Sequence, residues 1–131
     1  MAEPGQRNRP LSPFMIGSAY RLQMTSASSF GIRAAGLAQI AGIALFVAWL
    51  LSATISQECF ERVNWLATSW LGWLVWILSA WAVWFHFLGG LRHFIFDQAK
   101  MMEIRTAERL GWAMYIGATV LTVLTIIVAV V

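Results

Sequence analysis

The chain has 131 residues, 60% of them hydrophobic and only 11% charged, with a formal net charge of +3. A water-soluble domain carries about a quarter charged residues, so this composition excludes an ordinary soluble surface and points to a bilayer. The basic balance is explained below by membrane topology, so no nucleic-acid partner is expected. The single cysteine, Cys59, leaves no intrachain disulfide and no all-cysteine metal site.

In chain order, the first thirty residues are polar, basic and Pro-containing, with no apolar core or cleavage site of a signal peptide. Residues 1–28 are read as an N-terminal arm. Ala34 to Ile55 is uncharged and long enough to cross a hydrocarbon layer of about 30 Å. The segment SQECFERVNW reads as a loop. Leu66 to Leu91 is again uncharged apart from any proton on His86, and Leu110 to Val131 completes a third span. The β-branched end of this last segment would favour strand in water. In lipid an unpaired strand strands its backbone polar groups, so helix is expected. The reading is an all-α membrane protein: one membrane-spanning domain, 1–131, with spans at about 29–55, 65–91 and 110–131.

Orientation follows from the loops. Arg7, Arg9, Arg21 and Arg33 precede the first span, and Arg92, Lys100, Arg105 and Arg109 lie between the second and third. The other loop holds only Arg62, beside Glu58 and Glu61. The bias puts the N-terminus in the cytoplasm and the C-terminus outside. Trp65, Trp70 and Trp112 fall near span ends, as interfacial aromatics do.

His86 is the one ionisable side chain inside the second span, six residues or roughly 9 Å along a helix from Arg92. An imidazole in that position bonds a neighbouring helix, serves a proton relay or ligates a haem iron. Gly89 and Gly90 beside it suit close approach of a flat macrocycle or of another helix. His93, two turns on, is an interfacial residue or a contact for a propionate or quinone. Ser29 and Arg33 share a helix face at i, i+4. They read either as a helix start with a positive-inside arginine or as donors to a quinone carbonyl. Asp97 and Glu103 read as solvated acids.

The segment His86-Phe-Leu-Gly-Gly-Leu-Arg-His93-Phe-Ile-Phe-Asp97 resembles the H-x-x-x-G-[LI]-R-H-x-x-x-D signature of the cytochrome b membrane-anchor subunit of succinate dehydrogenase. Arg9-Pro-Leu-Ser-Pro13, Tyr20 to Ser26, and Ser29-x-x-x-Arg33-x-x-Gly36 resemble that family's N-terminal region, in the same order. The resemblance implies that His86 is an axial ligand of haem b, with the second ligand from a partner anchor subunit that completes the helical bundle. It implies Ser29 and Arg33 at a quinone site, His93 near a propionate or the quinone, and Asp97 and Glu103 on a proton path. It also implies flavoprotein and iron–sulfur partner subunits, which this chain does not replace: it has neither a dinucleotide fingerprint nor a cysteine set for clusters.

Two departures stand out. The family's histidine before the arginine is Ile32, and the histidine after R-P-L-S-P is Phe14. The expectation is a subunit of succinate:quinone oxidoreductase in a bacterial inner membrane, since no transit peptide precedes the matching region. A haem-free anchor, a fumarate reductase anchor and a small proton-path transporter are the alternatives. The lack of paired intramembrane carboxylates weighs against the last.

Overall fold

The computed structural model describes residues 22–131, and within them the chain forms helices only. Helix α1 runs Met24–Ile55, α2 Gln57–Thr68, α3 Trp70–Asp97 and α4 Ile104–Val130. Three of these, α1, α3 and α4, are long and apolar enough to cross a membrane. The arm and the motifs at Arg9–Pro13, Phe14 and Tyr20 lie outside the described residues, apart from 22–28. Of these, Met24 onward is already helix.

Helix α3 packs against both α1 and α4, which touch each other less. The buried positions explain how. On α3 they are Ala82, Phe85, Gly89 and Arg92, spaced three and four apart. On α4 they are Ala107, Gly111, Met114, Ala118 and Thr122. On α1 the matching stripe begins Ser28, Ile32, Ala35 and continues at Gly42. Small residues dominate because lipid supplies no hydrophobic drive between helices, and close backbone approach must supply contact instead. Gly89 illustrates this: a Cβ there would fall 2.6 Å from Ile32 Cγ1. Phe85 fills the centre, fully buried, stacked on Trp81 at 4.8 Å and tilted against Tyr115 at 4.6 Å.

Tryptophan N–H groups tie the helices together where apolar packing alone would leave them unsatisfied. Trp81 Nε1 donates to Thr119 Oγ1 (3.2 Å) and Trp84 Nε1 to Thr125 Oγ1 (2.9 Å), both from α3 to α4. Gln39 Nε2 donates to the Ala82 carbonyl across α1 and α3 at 3.2 Å. Much of the remaining surface is exposed Leu, Ile, Val, Phe and Trp, as suits a surface facing lipid or other helices rather than water.

The expected loop SQECFERVNW and the start of the second span at 65–66 are replaced by a separate helix. Ser56 N-caps α2, its Oγ accepting from the Cys59 amide at 3.2 Å, and Glu58 in the first turn favours the same end. Ser69 closes α2 and caps α3 through the Gly72 amide at 3.1 Å. Gly72 is required there, because a Cβ would lie 2.3 Å from the carbonyl oxygens of Leu66 and Ala67. The inner face of α2 is fastened by Trp49 Nε1 donating to Asn64 Oδ1 (3.1 Å) and Trp76 Nε1 donating to the Ala67 carbonyl (3.1 Å). Glu58 and Arg62 pair on its exposed face, where such pairs add little stability. Trp65 therefore belongs to α2 rather than to a span end.

At the other end of the bundle, α3 and α4 are joined by residues 98–103, with Ala99 (φ 54) and Met101 (φ 57) in the left-handed region. This tight reversal brings Asp97 and Glu103 to the two ends of one short connection.

Candidate functional site

The predicted site residues fall on one stripe of each of two helices, one residue out of phase with the packed stripe. On α1 the core side is Ser28, Ile32 and Ala35, and the next positions along are Ser29, Arg33 and Gly36. On α3 the core side is Phe85, Gly89 and Arg92, and the next positions are His86, Gly90 and His93, with Asp97 one turn further. A one-residue step turns a helix by about 100°, so both stripes lie beside the packed interface rather than in it. Arg33, His86, His93, Asp97 and Glu103 are exposed, and Ser29 is half-buried.

One contact shows that the two stripes open on the same side. A Cβ built on Gly36 would lie 3.3 Å from both Cδ2 and Nε2 of His86, so the imidazole lies across α1 in the space this glycine leaves. A second contact, Arg92 Nη1 donating to Ser28 Oγ at 2.6 Å, fixes the antiparallel level of the helices nearer Asp97. Ser29 and Arg33 lie between these two levels, alongside the stretch of α3 from His86 to His93. By helical phase all four face the same side of the α1–α3 seam, along the outer groove between the two helices. Asp97 and Glu103 sit at its end, exposed, on the α3–α4 connection.

The adjacent glycines have different surroundings. Gly89 is buried against Ile32 and Met114, whereas a Cβ on Gly90 would meet nothing within 4 Å. Helix packing uses the first; the second leaves α3 bare on the open side, one turn from His86. Ile32, standing where the family has histidine, belongs to the packed stripe and is 8% exposed. Its side chain fills the hollow over Gly89, so position 32 offers the groove no polar group.

Among the described residues no side-chain hydrogen bond or ion pair engages Ser29, Arg33, His86, His93, Asp97 or Glu103. Nor do three His, Cys, Asp or Glu side chains gather to hold a bare metal ion. An exposed imidazole with a bare helix turn beside it fits the edge of a haem, whose iron takes imidazole ligands. This chain offers one imidazole at that level. The cavity of about 160 Å³ between α3 and α4, lined by Leu88, Leu91, Ile95, Leu110 and Met114 among others, opens on the other side of α3.

In the sequence Arg92 counted only among the basic residues between the second and third spans. It is buried instead, 7% exposed, with its guanidinium 4.9 Å over the Phe96 ring. The signal was its phase: Phe85, Gly89 and Arg92 repeat at the spacing of the core stripe.

Residues 5–126 match the family described as succinate dehydrogenase/fumarate reductase transmembrane subunit. The chain is similar to the succinate dehydrogenase cytochrome b556 subunit of Paracoccus denitrificans, 41% identical over 128 residues that cover 98% of this chain and 97% of that protein. It is also similar to the cytochrome b556 subunit of Rickettsia conorii, 26% identical over 116 residues, covering 88% of this chain and 89% of that one. The cytochrome b560 subunit of Reclinomonas americana is 27% identical over 112 residues, covering 82% and 76%.

Proposed function

This chain belongs to the succinate dehydrogenase/fumarate reductase transmembrane-subunit family, and from that premise we propose that it is the anchor that binds haem b through His86 and forms part of a quinone-reduction site with Ser29 and Arg33. The observation that supports the reading is the close approach of His86 to Gly36, which lays the imidazole over α1 one turn from Arg33.

The His86 imidazole would hold the haem iron from this chain, and a histidine of a second membrane-anchor subunit would hold it from the other. A haem bound there supplies a centre that takes up and returns one electron. The work of this chain's own side chains is separate. Ser29 Oγ donates a hydrogen bond to one quinone carbonyl. The Arg33 guanidinium donates to it and stabilises the negative charge that grows on that oxygen as electrons arrive. His93, two turns from His86 on the same stripe, contacts a propionate or the quinone headgroup. Reduction of a quinone to a quinol takes two electrons and two protons, and Asp97 and Glu103 pass the protons from the water-exposed end.

The electrons come from succinate through a flavoprotein and an iron–sulfur subunit docked at that same end, the cytoplasmic side by the distribution of arginines. The membrane is the bacterial inner membrane. The anchor's contribution is placement: oriented donors in a site with little water, where electrostatic stabilisation is strongest.

Ser29→Ala tests the quinone half of this reading. In the assembled complex, quinone-linked succinate oxidation should fall about tenfold, the worth of one hydrogen bond to a developing charge. Oxidation with a soluble dye, which bypasses the anchor, should hold. Equal loss in both assays would instead mean a defect of assembly, and no loss in either would remove Ser29 from the site.

A further inference from the structure

The guanidinium of Arg92 has no part in that reading, yet it is the most expensive group to bury in the bundle. Arginines near a span end ordinarily extend along the helix until the charge reaches water. This one turns inward between the helices and is 7% exposed. Its Nη1 donates to Ser28 Oγ at 2.6 Å, its Nε has no hydrogen-bond partner, and no carboxylate pairs with it among the described residues. Ser28 is itself fully buried, and its hydroxyl donates to the Thr25 carbonyl at 3.0 Å. Phe96 shields the cation at 4.9 Å. A buried cation with no carboxylate beside it among the described residues costs stability, and its place within a membrane span points to a task.

The task is legible from the neighbours. Ser28 and Arg92 immediately precede Ser29 and His93 in the chain. Further along, Gly36 on His86 and Gln39 on the Ala82 carbonyl hold α1 to α3. Closer to the Ser28 end the other α1 contacts are packing contacts, Gly31 on Phe85 and Tyr115, Ile32 on Gly89 and Met24 on Gly111, and among the described residues the Arg92–Ser28 bond is the one directional link to α3 there. A roll of one residue would carry Ser29 and Arg33 about 100° away from the open groove. A directional bond between a rigid guanidinium and a buried hydroxyl resists that roll.

We propose that Arg92 is a positioning residue: its buried bond to Ser28 fixes the first turns of α1 on the last turns of α3, in the register that turns Ser29 and Arg33 toward His86 and His93. The inference rests on the reading of Ser29 and Arg33 as quinone-site residues.

The test uses the complete complex in membranes, with Ser28→Ala, Ser28→Thr and the double variant Ser28→Ala/Arg92→Met. Replacing both partners by apolar groups avoids leaving a lone buried charge, so the double variant assembles even where Ser28→Ala does not. Two quantities are read. One is KM for a short-chain quinone beside the dye-linked rate. The other is the distance between spin labels at Phe30→Cys and Phe94→Cys in a Cys59→Ser background. Losing a charge-assisted bond should raise quinone KM about tenfold in Ser28→Ala and in the double variant, with the dye-linked rate unchanged. The label distance should shift or broaden in both, and Ser28→Thr, which keeps the hydroxyl, should restore both quantities. Wild-type KM and label distance in an assembled double variant would overturn the proposal. Arg33→Ala serves as the control on the reading beneath it. If that variant keeps normal quinone kinetics, the quinone site is misassigned, and the label distance alone still judges the register lock.

Discussion

Arg33→Ala is expected to lower quinone-linked succinate oxidation by about 10²–10³-fold, the cost of removing a donor aimed at developing negative charge in a site poor in water. Dye-linked oxidation by the same preparation should stay near normal. Arg33 stands exposed on the open side of α1, and no acidic side chain among the described residues is bonded to it. Its charge is therefore free for a ligand. Its place between the levels of the Gly36–His86 and Ser28–Arg92 contacts puts it beside the histidines and away from the packed stripe. Arg33→Lys separates this role from a purely topological one. Lysine keeps the charge that orients the span but loses the planar pair of donors, so it should restore insertion fully and turnover only in part. Full recovery of turnover by lysine would reduce Arg33 to an orienting charge.

The second large effect is expected at Gly36. A Cβ there would stand 3.3 Å from two atoms of the His86 ring, tighter than ordinary packing, and the branches of valine would reach further into the ring's place. Overpacking of this kind costs about 1–3 kcal/mol when the neighbour cannot yield. Here the neighbour can yield, because His86 is exposed on its far side. The imidazole would swing, and with it the nitrogen that would hold the iron. Gly36→Val should therefore leave the complex assembled and strip most of its haem, measured as haem per flavin. Gly36→Ala should show a partial loss. By contrast, Gly90→Ala adds its methyl to open space and should leave the helices packed as before. Any loss of haem in that variant would report the flat group rather than the bundle.

Hydropathy was enough for the three spans, because a run of uncharged residues longer than a bilayer has one stable solution. It failed for α2. That segment mixes Glu58, Glu61 and Arg62 with Phe60, Val63 and Asn64, which averages to a loop on any long window. The clue lay at shorter range, in Ser56 and Ser69 as successive caps and in Trp49 and Trp76, whose N–H groups needed partners. The stripe of Ser29, Arg33, His86 and His93 was legible because helical spacing at i, i+4 and i, i+7 is visible in a sequence. Their common side was not, since the rotation of α1 against α3 depends on contacts between residues far apart in the chain, Ile32 over Gly89 and the Arg92–Ser28 hydrogen bond among them. Arg92 was misjudged for a related reason. A charge near a span end is ordinarily drawn to water, and only its phase with Phe85 and Gly89 shows that the core claims it.

Whether His86 holds a haem iron decides the proposed function. The direct measurement is the dithionite-reduced minus oxidised visible spectrum of the purified complex, wild type beside His86→Ala and His93→Ala. The reading predicts a b-type α-band in the wild type, its loss in His86→Ala, and its retention in His93→Ala. A band unchanged in assembled His86→Ala would contradict it and pass the ligand to another residue.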